Sequence, residues 1–208
     1  MIAPRWVITG PTGAGKSLAA RLLAARGAAV VDGDACGHAL LRDPAVAAAV
    51  GATFGPSVLR GGAVDRAALG RVVFADPDAL GRLDAITLPR LSRELRLALD
   101  AAAAGAVRLA VLDAAVYFLL PAFGPVELTI CVTADPELRL RRLLAGGDRD
   151  EAAARRRLVA QGHLAASWAR ADVTITNERG VGELATVLDR LLAERLPLAG
   201  GGPGRTSG

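Results

Sequence analysis

The sequence predicts an α/β fold with a doubly wound, five-stranded parallel sheet. Three observations predict it. A glycine-rich segment, Gly10–Ser17, lies between a short apolar stretch and a run of good helix formers. Short apolar stretches then alternate with longer helical segments, as in parallel sheets with helices on both faces. Two of these stretches end in aspartate, at the edge of the sheet where ligands bind in such folds.

The first predicted strand and helix enclose the glycine-rich segment. Trp6–Thr9 is apolar and partly β-branched, which indicates a buried strand, and Leu18–Arg26 predicts a helix. The segment between them fits G-x-x-x-x-G-K-[ST], the phosphate-binding loop, whose backbone N–H groups and following helix N-terminus face an anion. The residues expected to hold a nucleotide are therefore Gly10, Pro11, Thr12, Gly13, Ala14, Gly15, Lys16, Ser17 and Leu18.

Two side chains of this loop carry chemistry. Lys16 is the only lysine in the chain, and the other 24 of the 25 basic residues are arginine. A compact ammonium enters between phosphate oxygens where a planar guanidinium does not substitute for it, so Lys16 is expected to contact the β- and γ-phosphates. The hydroxyl of Ser17 is expected to bind Mg²⁺.

Aspartates follow the second and third predicted strands. Asp32 and Asp34 come at the end of Ala28–Asp32, where they suggest a catalytic base or a metal neighbour. Asp34 could instead cap the helix that follows. The third strand, Val107–Asp113, ends in the pattern whose aspartate holds Mg²⁺ or its waters, so Asp113 is a second metal candidate.

Between these strands, residues 43–105 are predicted to be mostly helical. Asp65 caps a helix that runs to Ala75, Pro77 begins a short one, and Leu88–Ala104 forms a longer one. No strand is predicted between about 35 and 106. The sequence therefore predicts a helical insertion over 35–105 that receives a second substrate. His38, within it, is expected to be a surface or core residue rather than a catalytic one.

The fourth strand, Val126–Val132, leads into two arginine-bearing helices. The first begins at Pro136, Gly146–Asp148 breaks it, and Asp150 caps the second. The arginines of the pair are Arg139, Arg141, Arg142, Arg155, Arg156 and Arg157. We interpret residues 136–170 as a hinged lid that brings guanidinium groups onto a transferring phosphate, although such runs are also typical of a solvated helix face.

The last elements complete a single domain over 1–196. Ala171–Thr176 is the fifth strand, and residues 182–195 form a closing helix. The core then comprises 1–34, 106–135 and 171–196. The remaining residues, 197–208, are rich in proline, glycine and serine and are predicted to be disordered.

Composition restricts the partners of the protein. Aromatic residues make up 3% of the 208, and a net charge of +4 is too small and too scattered for a nucleic-acid-binding protein, although it suits small anionic ligands. Cys36 and Cys131 are expected to be reduced core thiols. With no signal segment and no apolar run of the ~20 residues that span a bilayer, we expect a cytoplasmic protein without membrane contact. The oligomeric state is not predicted.

From about residue 5 to 190, the chain resembles the dephospho-CoA kinase family. The resemblance includes the phosphate loop, Val31–Asp34, and the lid residues Arg157 and Gln161. It also includes two longer matches: Asp65-Arg66 with Leu69 and Phe74-Ala75-Asp76-Pro77 in the insertion, and Ala171-Asp172 with Ile175-Thr176-Asn177 at the last strand.

The resemblance implies a P-loop kinase fold with a core, a CoA-binding helical insertion and a lid. It implies transfer of a phosphoryl group from ATP to the ribose 3′-hydroxyl of dephospho-CoA, with Mg²⁺. Asp34, Lys16 and Arg157 would then be catalytic, Asn177 would lie near the adenine, and Asp32 or Asp113 would hold the metal's water shell.

The sequence departs from the family pattern at four positions. Leu88, Ala115, Leu119 and Gly146 stand where the family usually carries histidine, proline, glutamate and arginine, and Arg149 is near enough to replace the last. These positions lie toward the acceptor or the lid, whereas the ATP-binding half is intact. Two alternatives are therefore a kinase for another nucleoside or small alcohol, and a nucleotide-binding relative without catalysis.

Overall fold

The computed structural model describes residues 2–73, 75–146 and 150–196. Its strands are β1 (Arg5–Thr9), β2 (Ala28–Asp32), β3 (Leu59–Arg60), β4 (Ala63–Val64), β5 (Leu109–Asp113), β6 (Leu128–Thr133) and β7 (Val173–Thr176). Five of them form one parallel sheet in the order β2–β5–β1–β6–β7. The predicted doubly wound, five-stranded parallel sheet is confirmed.

Nine α-helices surround the strands in the described part of the chain. They are α1 (Lys16–Ala24), α2 (Gly33–Leu40), α3 (Pro44–Phe54), α4 (Arg66–Val73), α5 (Pro77–Ala104), α6 (Pro136–Ala145), α7 (Glu151–Ala160), α8 (Ala165–Trp168) and α9 (Val181–Arg195). The predicted closing helix is therefore present, and it begins one residue earlier than expected. Phe74, Arg149 and the predicted disordered tail at 197–208 lie outside the described residues.

Apolar cores cover both faces of the sheet. Successive side chains of a strand point to opposite faces, and β1 follows this rule: Trp6 and Ile8 pack with Leu188 of α9, whereas Val7 packs with Leu95 of α5. All five of these side chains are almost fully buried. The central strand is thus fixed on both sides, and so is the position of the loop that follows it.

The insertion contains one long helix where two were predicted. The sequence predicts a separate helix from Leu88, but no break occurs there and Pro89 lies inside α5. Leu91, Leu95 and Leu99 continue the buried stripe of α5 into the core beyond the proline. Pro89 and Ala85, whose carbonyl loses its helical partner, are exposed to solvent. A proline inside a helix costs about 3 kcal/mol. Here the packing of the leucines on the core, and the access of water to the free carbonyl on the opposite face, outweigh that cost.

The insertion also contains a small hairpin, which contradicts the prediction of no strand between about 35 and 106. β3 and β4 pair in antiparallel fashion, and the two residues between them are Gly61 and Gly62, with φ of 58° and 81°. A Gly-Gly pair between strands is a known hairpin signal, because both positions need positive φ. Strands of two residues are too short to show an alternating pattern, so the glycines were the only signal.

Asp172 connects the beginnings of β6 and β7. Its Oδ2 accepts hydrogen bonds from the backbone N–H of Thr129 at 2.7 Å and from the Thr129 hydroxyl at 2.6 Å, and its own N–H donates to that hydroxyl at 2.9 Å. These hydrogen bonds lower the pKa of the Asp172 carboxyl, the side-chain bond most of all. The ionised form therefore stabilises the fold.

We expect Asp172→Asn to lower the free energy of unfolding by about 1 kcal/mol at pH 7, because the carboxylate is partly exposed and its bonds are screened. A lowered pKa stabilises the fold above the unfolded carboxyl pKa of about 3.9, and this stability is lost as the pH falls through the folded value. Urea unfolding at pH 7 and pH 3 checks this. The difference from the wild type should shrink at pH 3, and Glu178→Gln, at an exposed position after the same strand, should show neither effect.

Candidate active site

The Gly10–Ser17 loop connects the central strand β1 to α1. Gly10, Gly13 and Gly15 have φ of 125°, 79° and 107°, values that residues other than glycine rarely adopt. At Gly10 a Cβ atom would lie 2.2 Å from the carbonyl oxygen of Val132, and at Gly15 one would lie 2.3 Å from the side-chain nitrogen of Asn177. The glycines are thus required both by the backbone conformation and by close neighbours.

Lys16 lies beneath this loop, and its Nζ donates a hydrogen bond to the carbonyl of Pro11 at 3.1 Å. Burial lowers the pKa of the Lys16 ammonium, while the charges of Asp113 and Asp34 oppose this shift. An ammonium that has lost much of its hydration interacts strongly with an arriving anion. The side chain therefore provides a positive charge held in place before a nucleotide binds.

Ser17 and Asp113 form a pair of oxygen ligands. The Ser17 hydroxyl donates to Oδ2 of Asp113 at 3.0 Å. Burial raises the pKa of the Asp113 carboxyl, with smaller opposing effects from Lys16 and Ser17 and smaller supporting ones from Asp34 and Asp32. Asp113 is placed here because the parallel register aligns it with Asp32 on β2 and with Ile8 on β1.

Asp32, the last residue of β2, and Asp34, two residues later, have different positions. Asp32, not Asp34, caps α2: its Oδ1 accepts the backbone N–H of Ala35 at 2.9 Å. Asp34 lies in the first turn of the helix and lines the same cavity as Lys16 and Ser17. The alternative that Asp34 serves as the helix cap is therefore wrong, and its carboxylate faces the phosphate loop instead.

The cavity above the loop has a volume of about 500 Å³. Its walls come from the loop and α1, from the first turn of α2, and from the ends of α6 and β7. The lining residues are Thr12, Gly13, Gly15, Lys16, Ser17, Leu18, Arg21, Asp34, Arg142, Asn177, Gly180 and Val181. Of the predicted catalytic residues, the structure brings Lys16 and Asp34 together here.

Asn177 and Arg142 fix the loop to the end of β7. The Asn177 side-chain nitrogen donates to the carbonyl of Ala14 at 2.8 Å. Arg142 donates to that same carbonyl at 3.3 Å and to the backbone carbonyl of Asn177 at 2.9 Å. Sequence reasoning did not single out Arg142 among the lid arginines, because only the fold shows which guanidinium meets the loop.

The two helices of the predicted lid, α6 and α7, approach the loop from the side of β6. Gln161, at the C-terminal end of α7, accepts the backbone N–H of Thr12 through Oε1 at 2.8 Å. Arg157 lies one turn earlier on α7 and is exposed. Gly146 ends α6, and Arg149, the predicted replacement for the arginine missing there, lies outside the described residues.

The other departures from the family pattern have structural positions. Leu88 is a residue of α5 and packs against the core, and Leu119 packs beside Trp168. The carbonyl of Ala115 accepts two buried hydrogen bonds, from the hydroxyl of Thr9 at 3.1 Å and from the Trp168 ring N–H at 2.8 Å. The segment after β5 therefore has firm contacts without the usual proline and glutamate.

A phosphate loop after the central strand, a serine–aspartate pair beside it and arginine-bearing helices over it define a P-loop kinase. The sequence model of the dephospho-CoA kinase family matches residues 6–183. A dephospho-CoA kinase from Anaeromyxobacter dehalogenans is 39% identical over 190 residues, which cover 90% of each chain. The chain belongs to the dephospho-CoA kinase family.

Solved structures share this fold. The crystal structure of TT1252 from Thermus thermophilus superposes with a TM-score of 0.75 and 30% identity, over 96% of this chain and 100% of that one. A dephospho-CoA kinase from Campylobacter jejuni superposes with a TM-score of 0.57 over 94% of this chain and 99% of that one. At 19% identity, the second likeness shows the fold alone.

Two further findings concern membrane-spanning helices and the cysteine thiols. Within the described ranges, none of the helices combines the length and the apolar character that crossing a bilayer requires. Both cysteines are free thiols, Cys131 buried and Cys36 half-buried. Burial raises the pKa of each thiol.

Proposed function

We propose that the protein transfers the γ-phosphoryl group of ATP to the ribose 3′-hydroxyl of dephospho-CoA, giving CoA and ADP in the last step of CoA biosynthesis. The observation that carries the proposal is the convergence of Lys16, Ser17 and Asp34 on one cavity above the phosphate loop, in a chain that matches the family over 6–183. We place the reaction in the cytoplasm.

ATP binds with its phosphates on the loop. The backbone N–H groups at the start of α1 and the ammonium of Lys16 receive the β- and γ-phosphates, because both are preorganised toward an anion. This arrangement needs little rearrangement at the moment of transfer, since the glycines already hold the loop in its conformation.

The residues at the loop fit Mg²⁺. A hydroxyl from Ser17 and a carboxylate from Asp113 are hard oxygen ligands, and kinases bind Mg²⁺ through one or two such groups plus phosphate oxygens. Asp32 is a further candidate for the metal's water shell. When bound, the ion neutralises charge on the β- and γ-phosphate oxygens.

Asp34 accepts the proton of the acceptor hydroxyl. The 3′-oxygen forms a bond to the γ-phosphorus, and the bond to the β–γ bridging oxygen breaks, leaving ADP. The proton passes to the Asp34 carboxylate, which is exposed in the cavity and is not occupied by helix capping. Lys16 and, from the lid, Arg157 stabilise negative charge on the transferring group.

Asn177 is proposed to recognise the adenine. Its nitrogen faces the Ala14 carbonyl, so its Oδ1 faces the other way, and this buried oxygen has no hydrogen-bond partner within the described residues. An unpaired buried acceptor costs about 1–3 kcal/mol. The exocyclic amine of adenine is a donor that would satisfy it.

We therefore expect the enzyme to prefer ATP over GTP, because guanine presents an oxygen where adenine presents an amine. The expected difference in kcat/KM is at least about 10-fold. Steady-state rates with the two nucleotides, at fixed Mg²⁺ and acceptor, measure it. Equal values for ATP and GTP would contradict the assignment of Asn177 to the base.

The rest of the acceptor is proposed to lie along the insertion. A second cavity, of about 380 Å³, separates α5 from the end of α7. It is lined mainly by apolar residues, with Asp84 and His163 as polar exceptions. Asp84 is four residues before Leu88 on α5, so this altered family position lies one turn beyond the cavity on the same face of the helix.

We expect Leu80→Arg, which places a charge in this second cavity, to raise the KM for dephospho-CoA by about 10-fold through loss of apolar contact. The KM for ATP should change by less than about twofold, because the phosphate loop is untouched. Initial rates against each substrate separate the two. Arg93→Leu, an exposed control elsewhere on α5, should alter neither value.

The proposed function is tested by ADP release from ATP and Mg²⁺, with and without dephospho-CoA, and by locating the new phosphate at the 3′ position of the product. Strong stimulation by dephospho-CoA supports it. Stimulation by a different nucleoside or small alcohol in the same panel would support a kinase with another acceptor. ATP binding without ADP release in any arm would instead indicate a non-catalytic relative.

A further inference from the structure

The sequence uses three polar residue types once each: the one lysine is Lys16, the one glutamine is Gln161 and the one asparagine is Asn177. All three contact the backbone of the phosphate loop. Lys16 donates to Pro11, Asn177 donates to Ala14, and Gln161 accepts from Thr12. The proposed nucleotide binding gives Lys16 and Asn177 a role, but it gives none to Gln161.

Gln161 lies at a firmly anchored point of the lid. It ends α7, and its backbone carbonyl accepts the N–H of Leu164 at 3.0 Å. Leu164 is buried against Trp168 and Cys131, and Trp168 donates its ring N–H to the carbonyl of Ala115. The side chain of Gln161 therefore extends to the phosphate loop from a turn that is packed on the core.

The chemistry of the contact favours a neutral acceptor. A backbone N–H can only donate, so the atom of Gln161 that faces Thr12 must be an oxygen. Glutamate would offer the same oxygen, but it would place a negative charge beside a loop that receives a polyphosphate. The glutamine side chain is long enough to contact Thr12, offers a hydrogen-bond acceptor and carries no charge.

The contact also determines which face of α7 meets the loop. Residues four apart lie on the same face of a helix, and Arg157 precedes Gln161 by four. A hydrogen bond from Thr12 to Gln161 thus fixes the rotation of the last turn of α7 and, with it, the face that carries Arg157. It fixes the first half of the phosphate loop at the same time.

We propose that Gln161 is a positioning residue for phosphoryl transfer, which couples the lid helix to the phosphate loop through the N–H of Thr12. This role rests on the proposed function, and Gln161 is not among the residues that line the cavity containing Lys16, Ser17 and Asp34. Misplacement of about 1 Å in a transfer site costs about 100-fold in rate, so a single neutral hydrogen bond at this point has a large effect.

The test compares Gln161→Met, which removes the acceptor, with Gln161→Glu, which keeps it and adds charge. Hydrogen exchange of the Thr12 amide, followed by nuclear magnetic resonance, should accelerate at least about 10-fold in Gln161→Met and stay near the wild-type rate in Gln161→Glu. kcat should fall about 10- to 100-fold in Gln161→Met, with the KM for ATP within about threefold. In Gln161→Glu the KM for ATP should rise instead.

Ala152→Met is the matched control, because it places the same side chain at an exposed position of α7. It should leave Thr12 exchange and kcat unchanged. Unaltered Thr12 exchange in Gln161→Met would overturn the proposal, and so would faster exchange with a wild-type kcat. A lower melting temperature without a change in kcat would reduce Gln161 to a structural contact and overturn it too.

The exchange measurement separates this proposal from the proposed function. Exchange of the Thr12 amide, with and without ATP, is measured without any acceptor. A wild-type protein that does not phosphorylate dephospho-CoA would overturn the assigned acceptor. Thr12 exchange in Gln161→Met, together with kcat on whichever acceptor the panel identifies, would still decide the role of Gln161.

Discussion

Asp34→Asn is expected to lower kcat by about 100-fold or more, because the variant keeps the size of the side chain and removes its ability to accept a proton. The KM for ATP should change little, since the loop, Lys16 and Ser17 keep their contacts. Initial rates at saturating ATP and dephospho-CoA measure kcat, and a titration of ATP at fixed acceptor measures its KM.

The structure makes this a clean experiment. Asp32 caps α2, so the substitution at Asp34 does not remove the helix cap, and the variant should melt within a few degrees of the wild type. Asp43→Asn is a suitable control, since Asp43 caps α3 away from the cavity. A kcat for Asp34→Asn within threefold of the wild type would show that another group accepts the proton.

Much of this site could be predicted from the sequence because its parts are local. The phosphate loop depends on glycines, Lys16 and Ser17 within eight consecutive residues. Asp113 could be expected beside Ser17 because parallel strands bring their carboxyl ends to one edge. The alternation of short apolar stretches and helices was sufficient for the sheet, and the structure confirms all five strands.

The sequence could not show which of Asp32 and Asp34 caps α2. Either one can cap a helix, and the choice depends on where α2 begins relative to the end of the strand. The structure begins α2 at Gly33, which makes Asp32 the cap and leaves Asp34 in the first turn. A shift of two residues in a boundary, well within ordinary uncertainty, thus exchanges the roles of the two side chains.

Contacts between segments that are distant in the chain also could not be predicted from the sequence. Arg142 meets Ala14 over 128 positions of chain, and Gln161 meets Thr12 over 149. The two helices of the predicted lid carry six arginines that the sequence does not distinguish, and only the packing of α6 against the loop selects Arg142. In the same way, the local preference of Pro89 favours a helix start, whereas the apolar side chains of α5 that pack on the core before and after it decide the outcome.

Lys16→Arg is expected to lower kcat/KM for ATP by about 100- to 1,000-fold, although it preserves the positive charge. The ammonium lies beneath the loop, 3.1 Å from the carbonyl of Pro11. A planar guanidinium at this position must displace either the loop or the phosphates. Lys16→Met, which removes the charge, should be at least as inactive.

The pH dependence gives a second readout of Lys16. Burial lowers the pKa of its ammonium. The ammonium therefore loses its proton at a lower pH than a free lysine does, whose pKa is about 10.4. As the pH is raised, kcat/KM for ATP in the wild type should begin to fall before pH 10.4 is reached. The residual activity of Lys16→Arg should lack this decrease, because arginine keeps its proton throughout the range.

Because Lys16 is the only lysine, chemical labelling can locate the effect without a rate measurement. An amine-reactive reagent has two targets in this chain, the α-amino group and Lys16, and peptide mass spectrometry separates them. ATP with Mg²⁺ should slow labelling at Lys16 and leave the α-amino group unchanged. If Lys16 labels equally fast with and without ATP, or if Lys16→Arg keeps wild-type kcat/KM, the loop does not bind the phosphates in the way its sequence indicates.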